Sequence, residues 1–186
     1  MARGSIPHIW IDDGNPRNSK VKKTPEDLLA YLAELGIEAT TVHHPPVRTV
    51  DEAKQHRGIE GTHIKNLFLR DKKGRMWLVV AHEDRPLDLK SLAHALGAKN
   101  LSFGSPDRLR RYLGVEPGAV TPLGMVNDVD HAVTVVIDAT VLQRDPVCCH
   151  PLTNEATTAL RAEDLLRFLR TTGHEPTIMD FDRSRA

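Results

Sequence analysis

Aromatic residues are scarce, only 4% of a 186-residue chain, so Leu, Val and Ala must fill most of the core. Long apolar runs are missing too. The longest, Trp77 to Ala81 and Ala132 to Ile137, fall far short of the roughly 20 residues that cross a bilayer, which argues against a membrane span. Arg3 near the start is followed by His8, Asp12 and Asp13, which interrupt any apolar stretch of the kind a secretory signal needs. Net charge is absent: 25 basic residues balance 25 acidic ones. A neutral chain lacks the overall footprint of an autonomous nucleic-acid binder, leaving only local clusters at Lys20, Lys22, Lys23 and at Arg108, Arg110, Arg111, each of which, taken alone, reads as a solvated face before it reads as a binding site.

Cysteine is limited to the adjacent pair Cys148 and Cys149, which cannot close a structural loop between them and suits a reducing cytoplasm. No phosphate-binding Gly-x-x-x-x-Gly-Lys, dinucleotide fingerprint or nucleophile elbow occurs, removing the common nucleotide and serine-hydrolase readings. Ten histidines invite a metal. However, His43 and His44 alternate faces on a strand, and Cys148-Cys149-His150 would need distant partners, so no metal is expected.

A hydrophobic content of 40% fits one globular domain. Residues 1–23 carry glycines and prolines without apolar periodicity and read as an N-terminal arm; the domain proper is expected over 24–186. Thr24-Pro25-Glu26-Asp27 opens a helix with Leu28, Leu32 and Leu35 on one face, stopped at Gly36. A β-rich run, Ile37 to His44, ends at Pro45-Pro46, and Thr49 can cap a short second helix reaching Gly58. Thr62 to Leu69, the turn Asp71-Lys72-Lys73-Gly74-Arg75 and Met76 to His82 spell a β-hairpin. Helices are expected over Asp88 to Leu96, from Ser105 to near Gly114, and over Ala162 to Leu169. Short strands are expected at Asn100 to Phe103 and Val147 to His150, and a central one at Ala132 to Ala139. Strands and helices intermix without a regular βαβ rhythm, so the expected class is α+β: a single domain with a curled, barrel-like, mixed or antiparallel sheet and surrounding helices.

Two stretches carry candidate chemistry. Lys65 and Asn66 open a strand that is otherwise apolar on both faces, Lys65 on the side of Leu67 and Leu69, Asn66 on the side of Ile64 and Phe68. They either present an amine and an amide at the rim of a cavity or mark a strand end entering from solvent. Gly118-Ala119-Val120-Thr121-Pro122-Leu123-Gly124 sits in a long connection without clear period. Its glycines either let backbone N–H groups converge on an oxyanion or serve an ordinary turn.

Thr62 to Leu69, Leu87 to Ala98, the Gly118 to Gly124 loop and Val135 to Ala139 occur in an order and spacing that resemble the YbaK/ProX family, free-standing aminoacyl-tRNA deacylases related to the editing domain of bacterial prolyl-tRNA synthetase. The resemblance runs from about Thr24 to Phe181. The tail, with His150-Pro151, Leu165 to Leu169 and Gly173-His174-Glu175-Pro176, is more similar to the ProX branch, which clears alanine from tRNA(Pro), than to the YbaK branch, which clears cysteine. By that resemblance Lys65 matches the essential lysine, Asn66 its neighbour, Gly118 and Pro122 the Gly-x-x-x-Pro loop, and His150 a pocket histidine. It implies catalytic roles for Lys65, Gly118 and His150, and substrate contacts from Asn66, Pro46, Val47, Thr121, Pro122, Leu123 and Gly124, with no cofactor. The implied activity is ester hydrolysis of Ala-tRNA(Pro). Cys-tRNA(Pro) as substrate, or a non-catalytic module binding tRNA or a synthetase, are the alternatives. The implied partners are the 3′ acceptor end of tRNA(Pro) and prolyl-tRNA synthetase, in the cytoplasm and away from membranes.

Overall fold

Thr24 starts the first helix as the sequence requires. Its hydroxyl accepts from the Asp27 amide at 3.2 Å while the Asp27 carboxylate accepts from the Thr24 amide at 3.0 Å, a reciprocal cap that satisfies two otherwise orphaned donors. Helix α1 (Pro25–Glu34) then buries Leu28 and Leu32. The computed structural model describes residues 21–46 and 58–181; the short helix expected from Thr49 lies outside them, as do residues 1–20 of the arm.

The strands are β1 (Ala39–His43), β2 (Thr62–Arg70), β3 (Met76–His82), β4 (Ser102–Phe103), β5 (Val133–Asp138), β6 (Val147–Cys149), β7 (Ala156–Leu160) and β8 (Thr177–Met179), and helices α2 (Leu89–Ala95), α3 (Pro106–Arg108) and α4 (Ala162–Thr171) punctuate them. All eight strands join one sheet in the order β1-β7-β6-β2-β3-β5-β8, with β4 also paired to β2. Pairing is mixed: β2–β3, β2–β4, β6–β7 and β1–β7 are antiparallel, whereas β2–β6, β3–β5 and β5–β8 are parallel. This is the mixed sheet with surrounding helices that the sequence indicated.

The hairpin forms with Leu69 opposite Trp77 and Lys65 opposite Ala81. Strands β7 and β8 were not anticipated: Ala156-Thr157-Thr158-Ala159-Leu160 is short and follows a polar turn, and Thr177 to Met179 is shorter still. Both are strands because a neighbour supplies their ladder, β1 and β6 for one and β5 for the other. The stretch expected as a helix to Gly114 is a single α turn continued by a π-helical segment, Leu109–Leu113. No helix among the described residues is long and apolar enough to cross a membrane.

Two apolar clusters flank the sheet. The larger joins Leu28, Leu32, Phe68, Leu78, Val80, Leu123, Ile137, Leu165 and Phe168. The smaller joins Leu69, Trp77, Val79, Ala81, Val136 and Leu92 of α2. Helix α4 has no capping side chain of its own; the Asp145 carboxylate supplies one from a distance, accepting from the Ala162 amide at 2.6 Å, which ties the helix start to the entry of β6.

Candidate active site

Strand β2 is unevenly paired. On the side facing away from β3, only Thr62 and His63 pair with β6 and only Leu69 and Arg70 pair with β4. Between those short ladders lies the stretch 64–68, with no strand partner on that edge among the described residues, and Lys65 and Asn66 are in it. The Phe68 carbonyl is met by the Gly104 amide at 2.8 Å. Upstream of it, the Asn66 side chain reaches the Gly118 to Gly124 loop instead of another strand.

The contact is specific: Asn66 Nδ2 donates to the Val120 carbonyl at 2.9 Å. Because a carbonyl only accepts, the amide orientation is fixed, and Oδ1 must point elsewhere. That oxygen is buried and accepts from no donor among the described residues. A buried amide oxygen without a donor is costly.

The loop is built by ordinary turn chemistry. Ala119 N–H donates to the Glu116 carbonyl at 3.0 Å, closing a turn with Pro117 and Gly118 at its centre. Gly118 takes φ 94°, a left-handed value suited to glycine. Thr121, fully buried, then caps a 3-10 helix over Pro122–Asn127, its hydroxyl accepting from the Leu123 amide at 3.2 Å. The amides of Gly118, Val120 and Thr121 meet no acceptor among the described residues. They are the donors an oxyanion would use.

Lys65 turns to the opposite face of β2 from Asn66, as the two-residue period of a strand dictates. It is half-buried, and that burial lowers its ammonium pKa from the usual value against the opposing pull of the Asp84 carboxylate. His150 lies on the Lys65 side of the sheet: in the parallel β2–β6 pair, His63 sits opposite Cys148, and Lys65 and His150 each come two residues later. His150 Nδ1 is 3.1 Å from the Ala156 carbonyl, so Nδ1 carries the proton, and Nε2 of the neutral ring is left as an acceptor. Burial pushes the His150 pKa down, the Ala156 carbonyl opposes that, and nearby His44 adds to it.

His44 is the residue the sequence reading weighed only as a metal ligand. Its ring centroid lies 6.5 Å from that of His150. Nδ1 donates to the Pro45 carbonyl at 2.9 Å, and Nε2 shares a hydrogen bond of 2.9 Å with the Thr157 hydroxyl. The missed strand β7 hides this contact from sequence, because Thr157 holds His44 only once β7 lies between β1 and β6. Among the described residues no three His, Cys, Asp or Glu side chains gather as a metal site requires.

The structure therefore joins Asn66 to the loop and brings His150 near His44, while Lys65 turns to the opposite face of β2 from Asn66. Pro46 is exposed just past His44, and Val47 lies outside the described residues. Pro122 and Gly124 are buried; Gly124 packs on Leu113, and Leu123 is 0% exposed within the larger core. In this structure the Leu123 side chain anchors the loop.

Comparison with known proteins gives concordant results. The family model for the aminoacyl-tRNA editing domain matches residues 44–168, a span that holds His44, Lys65, Asn66, the loop and His150. The chain is 43% identical over 150 residues to the prolyl-tRNA editing protein ProX of Acetoanaerobium sticklandii, covering 79% of this chain and 91% of that protein. It is 42% identical over 160 residues to prolyl-tRNA synthetase associated domain-containing protein 1 of Danio rerio, covering 84% of this chain and 87% of that one. A crystal structure described as a candidate trans-editing enzyme for prolyl tRNA synthetase superposes with a TM-score of 0.66 over 84% of this chain and 94% of that chain, at 24% identity, a likeness of fold.

Proposed function

This chain belongs to the aminoacyl-tRNA editing domain family, and from that premise we propose that it is a trans-editing deacylase whose substrate is Ala-tRNA(Pro). In the reaction, water adds to the carbonyl carbon of the aminoacyl ester and the carbon–oxygen bond to the terminal ribose breaks. A proton passes to the ribose oxygen, releasing free alanine and a tRNA with its terminal hydroxyl restored.

The observation that carries this reading is the Asn66–Val120 hydrogen bond at 2.9 Å, which holds a loop with uncommitted amides against the open edge of β2. An ester under attack develops negative charge on its carbonyl oxygen, and preorganised N–H donors lower that barrier most. In this reading the amides of Gly118, Val120 and Thr121 receive the oxyanion. Asn66 Oδ1, a buried acceptor without a donor, takes a hydrogen bond from the substrate's α-amino group. Lys65 supplies positive charge for a phosphate or the developing anion. Neutral His150 orients water through Nε2, and His44 with Thr157 holds that ring's surroundings. The tRNA's own 2′-hydroxyl is a second means of orienting the water. Cys148 and Cys149, both buried and without a disulfide, support a reducing, cytoplasmic setting.

Deacylation of purified Ala-, Cys- and Pro-tRNA(Pro) tests the proposal. Fast loss of alanine, slow loss of cysteine and sparing of proline is the expected result. Preference for cysteine would move the protein to the other branch, and hydrolysis of none would leave only a binding module.

A further inference from the structure

We propose that the far end of the β2–β3 hairpin is a docking surface for the double-stranded acceptor stem of the tRNA whose 3′ end enters the site; the choice of partner rests on the editing function, whereas the surface itself does not. The chain as a whole is neutral, but this end is not. Lys72 and Lys73 of the turn and Lys99 of the next connection are exposed, and Arg70 is half-exposed. None of these side chains forms an ion pair in the described structure. The turn's own acid cannot neutralise them. Asp71 is 1% exposed and committed to the Arg75 guanidinium at 2.9 Å and to the amides of Lys73 and Arg75 at 2.9 and 3.0 Å.

The surface is also held in shape. Lys72 N–H donates to the Lys99 carbonyl at 3.4 Å and Arg75 donates to the Gly97 carbonyl at 3.1 Å, joining the two connections. Arg75 lies over Trp77 at 5.0 Å from the ring centroid. Beside them Phe103 is 62% exposed although it is a strand residue. Opposite Leu69 in the ladder, it falls on the same sheet face as Lys65. An exposed ring among unpaired cations suits a nucleic acid, with phosphates on the lysines and a sugar or base face on the ring.

Distance decides which part of the tRNA lies here. Arg70 is five residues beyond Lys65, about 17 Å along an extended strand. An unpaired 3′ end of roughly four nucleotides, at ~3.4 Å per stacked nucleotide, reaches about 14 Å. A terminal ester held near Lys65 with its strand running along β2 and over β4 therefore places the first base pairs beside Arg70, Lys72, Lys73 and Lys99.

The test is binding of an uncharged tRNA(Pro) acceptor-stem hairpin across a salt series, compared with the single-stranded 3′ tetranucleotide alone. For the triple variant K72E/K73E/K99E, affinity for the hairpin should fall on the order of tenfold or more, and the salt slope should flatten by about one per lysine replaced. Binding of the tetranucleotide should not change. F103A should weaken the hairpin severalfold at unchanged salt slope. Circular dichroism of these surface variants checks that the fold is kept. Hairpin binding by the triple variant equal to wild type in both affinity and slope overturns the proposal, as does an equal loss for the tetranucleotide, which would put these lysines on the single strand. Because the readout is binding of uncharged RNA, failure of the surface is distinguishable from failure of the editing function, which deacylation by the wild-type protein reports.

Discussion

Lys65 combines a positive charge with partial burial on a strand whose neighbours are apolar, and its loss leaves no deep cavity. Lys65→Ala is expected to lower kcat/KM for Ala-tRNA(Pro) by about 100-fold or more while circular dichroism and Tm stay near wild type. Lys65→Arg should restore only part of the rate, because a planar fork cannot replace a compact ammonium. Near-normal turnover by a folded Lys65→Ala protein would remove the residue from the mechanism. His150 gives a pH test. Its neutral form is the one with a bare Nε2, and burial lowers its pKa from the usual value, so the acid limb of activity, where the ring protonates, should lie below the range of an ordinary histidine. His150→Gln should be slower and lose that acid limb. An acid limb centred above pH 6.5 in the wild type would contradict the assignment. The opposite placement of Lys65 and Asn66 was legible beforehand, since strand periodicity alone dictates it. The partner of Asn66 was not, because Val120 is 54 residues away and no local pattern announces such a contact.

The loop and its 3-10 helix form the element that most repays perturbation. Gly118 at φ 94° is exposed, so Gly118→Ala costs about 1–2 kcal/mol of backbone strain with no steric clash needed. Its larger effect should be on kcat, by shifting the Val120 amide. Leu123→Ala, by contrast, opens a hole in the larger core and should cost about 2–5 kcal/mol; a drop in denaturation midpoint with unchanged m-value checks this. Were Leu123 instead a pocket wall, the variant would keep its stability and accept larger amino acids. The far end of the same helix is fastened at Asp128. Burial alone would raise that carboxyl's pKa, but the His174 ring and the amides of Val133 and Ala132 hold it below the usual value. Its contribution to stability is thus complete above the unfolded carboxylate range and is lost as pH falls through the lowered value. Asp128→Asn should flatten the acid side of the stability curve, and an unchanged acid limb would count against the pair. Of the elements, the capped helix α1, the hairpin and helix α4 were legible because each carries its own signal. Strands β7 and β8 were not, since their conformation is imposed by the neighbours that complete their ladders.

At the scale of the whole molecule, the proposed editing of Ala-tRNA(Pro) would make selectivity a matter of size. A synthetase site that holds proline cannot strongly reject alanine, because a missing methylene or so is worth only ~1–3 kcal/mol. A second site that admits only the smaller side chain corrects the error. Pro-tRNA(Pro) should therefore survive incubation that strips Ala-tRNA(Pro), and equal hydrolysis of both would end the editing reading. Overall tRNA affinity should be modest and salt-dependent, as a neutral chain with local cations implies. The arginine cluster suspected from sequence has less free charge than its count suggests: Arg110 is paired with Glu116 at 2.8 Å and with Asp107 at 2.9 Å, carboxylates that lie outside the four-residue stretch 108–111 that carries the basic run.

The pairing of β1 with β7 also sets a timetable for synthesis. Thr41 and Thr158 share a hydroxyl contact at 2.8 Å across 117 residues of sequence, so the first strand made cannot find its neighbour until nearly the whole chain has been translated. At about 5–20 residues per second, that wait is roughly 6–23 s. During it, Ala39 to His43 is a β-prone strand with both edges bare, next to a helix whose buried face has no core to cover. Nascent chains stalled before Leu160 should thus be protease-sensitive around β1, and chains released past α4 should be resistant. A ribosome pause placed between Pro151 and Leu160 would lengthen the vulnerable interval without altering a single residue of the product.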